Sequence, residues 1–144
     1  MIVFIFFILN IFVILYLNNM SKNIITVTKN AFQKMSRIME KSNNKNGFLF
    51  GINSGGCNGF NFNLQLMKDE ELDKIVKQTP NIIQDKKVKV YVEPLSELYL
   101  VGTEIDYLKE DYNKGIFESK FVYNINKKIA SCCGCGISFT PKKI

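Results

Sequence analysis

Phe60, Phe62, Leu64 and Leu66 alternate strictly with Asn61, Asn63 and Gln65. A period of two predicts a strand with one face in a core and the other in water. Just upstream, Phe48-Leu49-Phe50-Gly51-Ile52 predicts a short buried strand, and the two are joined through Ser54-Gly55-Gly56-Cys57-Asn58-Gly59. A cysteine is thereby carried in a glycine-rich loop between two strands. The other three cysteines are far away in sequence, in Ser131-Cys132-Cys133-Gly134-Cys135-Gly136-Ile137-Ser138-Phe139, and they too are set among glycines.

The rest of the chain supplies what these strands pack against. Ala31, Phe32, Met35, Ile38 and Met39 recur at spacings of three and four, which predicts an amphipathic helix with Thr28 as its N-cap. The polar run from Lys41 to Asn46, closed by Gly47, ends it. From Met67 to Lys87 the sequence is charged and contains Pro80, and it predicts a link with at most a short strand at Asn81 to Gln84. Val88, Val90 and Val92 alternate as a strand. Pro94 suits the first turn of a short helix through Leu95, Leu98 and Tyr99, stopped by Gly102. Strands are expected again at Thr103 to Leu108 and Ile116 to Asn124, and a short strand or tail at Ile137 to Thr140. Helix and strands follow one another with no regular βαβ alternation, so the expected class is α+β, a compact β-rich domain with a mainly antiparallel or mixed sheet.

Length and composition set the bounds. A chain of 144 residues is enough for one domain with a real core. Residues 1–22 stand apart: Met1 to Leu17 is apolar apart from Asn10 and carries no charge. It is at the lower edge of the ~17–25 residues that span a bilayer, yet it lacks the basic start and small-residue cleavage site of a standard signal peptide and is unlike an Arg-rich presequence. A leader, an anchor and a start at Met20 all remain open, and the fold is expected in residues 23–144. The net charge of +6 lies entirely after Met20, and it is built from lysine, with Arg37 the single arginine. No arginine cluster or aromatic platform accompanies the lysines, so nucleic-acid binding is not expected. Membrane contact is expected only through residues 1–17, if they are retained.

The cysteines carry the chemistry. With no histidine in the chain, a metal site has to be built from thiolates, carboxylates or external groups. Four chemistries are open on the residues alone: a metal or iron-sulfur site, redox thiols, a disulfide framework and inert buried cysteine. Glycines add nothing to a packed core, so inert burial suits Cys132 better than Cys133 or Cys135. A closed zinc site wants two separated pairs of ligands, which Cys-Cys-Gly-Cys plus one distant cysteine does not offer. Three well-placed thiolates, Cys57, Cys133 and Cys135, are an incomplete shell for one cluster, and a second subunit could complete it.

Three ordered blocks make the pattern specific: Gly56-Cys57-Asn58-Gly59, then Gly102-Thr103-Glu104-Ile105-Asp106-Tyr107, then Cys133-Gly134-Cys135-Gly136 followed by Ser138-Phe139. Together they resemble the A-type iron-sulfur carrier family (HesB/IscA/SufA and the mitochondrial Isa-type proteins) over about Ile24 to Thr140. The resemblance implies a HesB-like α+β fold with mixed sheets, two main helices and a flexible cysteine-containing C-terminal tail. It implies a non-enzymatic protein of iron-sulfur cluster assembly that binds iron or a 2Fe-2S or 4Fe-4S cluster through Cys57, Cys133 and Cys135 and passes it to apo-proteins. The implied partners are a second copy or a related carrier in a dimer, apo iron-sulfur proteins as acceptors, and a cluster scaffold or glutaredoxin as donor. The implied compartment is the mitochondrion, or a plastid if the apolar segment is a signal peptide. A thiol redox protein or sensor using the C-terminal cysteines is the alternative. Cys132 matches nothing in the family pattern. Asn124-Ile125-Asn126 replaces the usual Asn-Pro-Asn, Asp85-Lys86 replaces an Asp-Gly turn, and Asp111 to Glu118 is longer than usual. Glu104 and Asp106 are expected to serve the fold, with a place near iron as the other option.

Overall fold

In the computed structural model, residues 24–55, 59–128, 130–132 and 138–142 are described. After the two-residue strand β1 (Thr26–Val27) comes helix α1 (Lys29–Ser42). Thr28 caps it as expected: its Oγ1 accepts the Ala31 amide at 3.2 Å. The helix ends one residue before Asn43, which takes the left-handed conformation that asparagine tolerates and closes the last turn through its amide to Glu40 and Met39. Its apolar stripe, Ala31, Phe32, Met35 and Met39, is buried.

Two sheets pack around that helix. The larger has six strands in the order β4 (Ile82–Asp85), β5 (Val88–Val92), β2 (Phe48–Ser54), β3 (Phe60–Leu66), β9 (Ser138–Pro141) and β8 (Ala130–Cys132). Only the β2–β5 pair is parallel, so the sheet is mixed. The smaller sheet has β6 (Glu104–Leu108) between β1, which is parallel to it, and β7 (Lys120–Asn124), which is antiparallel. The main core lies where both sheets meet α1, with Phe50, Met35, Val90, Val92, Ile105 and Phe139 fully or almost fully buried. Tyr123 of β7 reaches across to stack on Phe50 at 5.5 Å and Phe62 at 4.7 Å. Burial pushes its phenol up to about 12.

A second, small core lies on the other side of the large sheet. Tyr91 alternates with Val90 and Val92 and so faces away from the main core, where it meets Met67 and Ile75. Ile75 belongs to α2 (Asp69–Val76), in the stretch expected to be only a charged link. Three acids, Asp69, Glu70 and Glu71, occupy its first turn, where they suit the helix dipole, and Leu72 and Ile75 supply a narrow apolar stripe. The helix expected after Pro94 is a single turn, α3 (Glu97–Leu100). Phe117, expected in a strand, is 74% exposed and precedes β7. Among the described residues no helix is long and apolar enough to cross a membrane, and residues 1–23 are outside them.

Candidate functional site

Cys57, Cys133 and Cys135 all lie outside the described residues. What the structure does place is the frame on either side of them. The β2–β3 hairpin keeps its register to the last pair, Ser54 opposite Phe60, and the Gly55 amide donates to the Gly59 carbonyl at 3.4 Å across the base of the loop. On its other side, Phe60 pairs with Phe139, and Phe139 pairs with Cys132. Ser54, Phe60, Phe139 and Cys132 therefore form one row across four neighbouring strands. With about 4.8 Å between strands, the residue that ends β8 is about 10 Å from the one that starts β3. Two segments more than seventy residues apart in sequence, each leading to the predicted ligands, are anchored on the same row.

Gly59 makes that arrangement possible. A Cβ at this position would sit 2.1 Å from the Phe139 carbonyl oxygen and 2.9 Å from Thr140 Oγ1. No side chain fits there, so glycine is required for β9 to lie against the start of β3. Gly59 thereby joins the strand that follows the Cys57 loop to the strand that follows Cys133 and Cys135. Aromatic rings complete the joint, since Phe139 stacks on Phe62 at 4.6 Å and lies 5.9 Å from Phe60.

β2 is steadied just before the loop by a clip that sequence reasoning missed. The Glu93 amide donates to the Phe50 carbonyl at 2.9 Å, and the Ser96 hydroxyl, itself buried, donates to the Glu93 carboxylate while accepting the Ile52 amide at 3.1 Å. The carboxylate lies over Gly51, where a Cβ would meet Glu93 Oε2 at 2.6 Å. The signal available was Gly51 inside an otherwise bulky strand, which marks a close approach.

The Gly102 to Tyr107 block serves the fold. Gly102 has φ +78 and turns the chain after α3. Asp106 accepts the Thr28 hydroxyl at 2.5 Å and its own neighbour's amide, Tyr107 N, at 2.8 Å, so it ties β6 to the cap of α1. Glu104 accepts the Asn124 side-chain amide at 3.1 Å. Thr103 is fully buried, and its hydroxyl has no partner among the described residues. No group of three acidic or cysteine side chains able to hold a metal ion occurs among the described residues. Cys132, for which inert burial was the better-suited reading, is instead exposed at the end of β8. Of the strand or tail expected at Ile137 to Thr140, the structure has the strand: Ser138–Pro141 is paired in the large sheet.

Comparison with known proteins bears on the whole arrangement. Residues 23–139 match the family model described as iron-sulphur cluster biosynthesis. The chain is 35% identical over 115 residues to "Iron-binding protein IscA" of Xenorhabdus nematophila, covering 80% of this chain and 96% of the relative. Among solved structures, IscA with the [2Fe-2S] cluster superposes with a TM-score of 0.59 at 18% identity, covering 83% of this chain and 99% of that one. Escherichia coli SufA superposes with a TM-score of 0.58 at 24% identity, covering 80% and 90%. These two likenesses establish the mixed α+β fold.

Proposed function

The chain belongs to the HesB/IscA/SufA family of iron-sulphur cluster biosynthesis, and from that premise we propose that Cys57, Cys133 and Cys135 hold its cargo and release it to apo-proteins. The cargo is iron or a 2Fe-2S cluster, as the names of the relatives indicate for those proteins, and we extend it to 4Fe-4S. The protein acts as a carrier and not as an enzyme. The observation that supports this site most directly is the row Ser54, Phe60, Phe139, Cys132, which anchors the flanks of both cysteine segments on adjacent strands.

Thiolates bind iron only when deprotonated, so loading releases protons, and the apo form is open to oxidation. Release proceeds by ligand exchange, with an acceptor's thiolates replacing these one at a time. A cluster held by thiolates alone takes four, one more than the three assigned here, which favours a dimer with a second copy or a related carrier. The strand directions fit a shared cluster. Three antiparallel pairings separate β2 from β8, so the strands that lead into the two cysteine segments reach their common row running in opposite senses. The donor is a scaffold or glutaredoxin. The compartment is the mitochondrion, or a plastid if residues 1–17 act as a signal peptide; imaging the tagged full chain beside a version starting at Met20 tests this.

Anaerobic reconstitution of the full chain with iron and sulfide is the direct test. The wild-type protein should develop thiolate-to-iron charge-transfer absorption, each of Cys57→Ser, Cys133→Ser and Cys135→Ser should lose it, and Cys132→Ser should keep it. A colourless wild-type protein that instead forms a reversible disulfide without metal would replace the carrier with a thiol redox protein.

A further inference from the structure

Away from the cysteine end, the exposed side of α1 and the turn between β4 and β5 enclose two adjoining cavities of about 540 and 610 Å³ that share Ser36, Glu40, Lys86, Lys87 and Val88. They form one groove that runs from Lys29 at the start of α1 to Lys45 beyond its end. At a rise of about 1.5 Å per residue its helical side, Lys29 to Ser42, is about 20 Å long. Five lysines line it, Lys29, Lys45, Lys86, Lys87 and Lys89, against two acids, Glu40 and Asp85, a net of +3 out of the chain's +6. All five are exposed, and the one ion pair among the described residues, Lys114 with Asp111, involves none of them. Phe32, Met39 and Val88 give the groove an apolar floor.

The turn that brings Lys86 and Lys87 there is costly for these residues. Asp85 pairs with Val88, leaving a two-residue loop in which Lys86 has φ +52. Glycine or asparagine takes that conformation readily, whereas other L-residues pay about 1–2 kcal/mol. A lysine in a conformation that favours glycine, beside a second lysine and over a groove of the same sign, points to recognition of negative charge.

We propose that this groove docks an acidic segment of a partner protein, carboxylates on the lysines and apolar side chains on the floor. A polypeptide fits the shape better than the other anionic surfaces. A planar bilayer does not enter a concave groove, and nucleic acid would call for arginine forks or exposed aromatic platforms, neither of which lines it. β4 and β8 are opposite edges of the six-stranded sheet, so a partner held here leaves the cysteine end uncovered. Docking does not depend on the cluster, and it stands or falls separately from the cargo site.

Fluorescence anisotropy of the full-length apo-protein with a labelled peptide of about fifteen residues rich in Glu and Leu tests it. The expected result is saturable binding that weakens with salt and falls at least about tenfold in Lys86→Glu/Lys87→Glu, with a smaller loss in Lys86→Ala/Lys87→Ala. Lys109→Glu/Lys120→Glu, outside the groove, should bind as wild type. Carbodiimide coupling of the bound peptide should map to Lys86, Lys87 or Lys89, a readout independent of variant folding. The proposal is overturned if the Gln-for-Glu peptide binds equally well, if groove and control variants lose the same affinity, or if a single-stranded oligonucleotide or phosphatidylglycerol vesicles bind more tightly through the same lysines. It is equally overturned if sedimentation shows that the groove variants abolish self-association, since the occupant would then be a second copy.

Discussion

The two ends of the six-stranded sheet are built to different standards. At the β4-β5-β2 end both faces are covered: α1 and the small sheet lie on one side, and Met67, Ile75 and Tyr91 make a second core on the other. β2 and β3 share seven paired residues. At the cysteine end, β9 is joined to β3 by two pairs and to β8 by three, and Phe139 packs against the rings of Phe60 and Phe62. The contrast suggests a division of labour. The doubly covered end holds the fold, while the thin end anchors the segments that lead to the proposed ligands through few strand pairs, so disturbing it should leave the domain folded.

The first way to break that comparison is to damage the thick end. Phe50 is fully buried and touches both Phe62 and Tyr123, so Phe50→Ala should cost about 3–5 kcal/mol in urea unfolding. Phe60→Ala, where the ring is only partly buried, should cost clearly less while lowering the cluster retained after reconstitution. Equal stability losses at the two positions would mean that the ends are one cooperative unit.

Alkaline pH probes the joint between the two sheets. The Tyr123 phenol is raised from 10.0 to about 12 by burial. Between those values the unfolded chain loses this proton while the folded protein keeps it, so the contribution is intact below pH 10 and is lost as pH rises through about 12. At about 1.36 kcal/mol per unit this amounts to about 2–3 kcal/mol. Denaturant midpoints measured from pH 9 to 12 should fall more steeply for wild type than for Tyr123→Phe. Parallel curves would show that the ring is not held between the sheets as described.

Next in size is Gly59→Val. Its Cβ would collide with the Phe139 carbonyl, and overpacking of this kind costs about 1–3 kcal/mol. Because the clash acts on the β3–β9 pairing and not on the core, cluster occupancy should drop by far more than stability. A variant that unfolds without first losing its cluster would contradict the division between the ends.

Much of this was legible before the structure. The period of two at Phe60 to Leu66, the helical spacing from Ala31 to Met39 and the Thr28 cap are signals carried by neighbouring residues, and each became the element expected. What escaped depends on distant partners. Ala130-Ser131-Cys132 has no strand pattern of its own and is extended because β9 pairs with it. α2 has a stripe of Leu72 and Ile75 too narrow to stand out among Asp69, Glu70, Glu71, Asp73 and Lys74, and it matters only because Tyr91 and Met67 need cover. The cysteine motif identified the candidate ligands, but nothing in it disclosed that Gly59 is spoken for by a carbonyl eighty residues downstream.

The smallest effect is the sharpest test of where the site ends. Thr28 and Asp106 lie at the start of α1 and in the middle strand of the small sheet, and the hydroxyl between them serves as both cap and donor. Thr28→Ala removes the cap and leaves Asp106 with the Tyr107 amide alone, a loss of about 1 kcal/mol. If the Gly102 to Tyr107 block serves only the fold, this variant and Asp106→Asn should melt a few degrees lower and reconstitute with wild-type absorbance. If Asp106→Asn keeps its melting temperature and loses the cluster, the carboxylate belongs to the cargo site, and the boundary between the two regions has to be redrawn through β6.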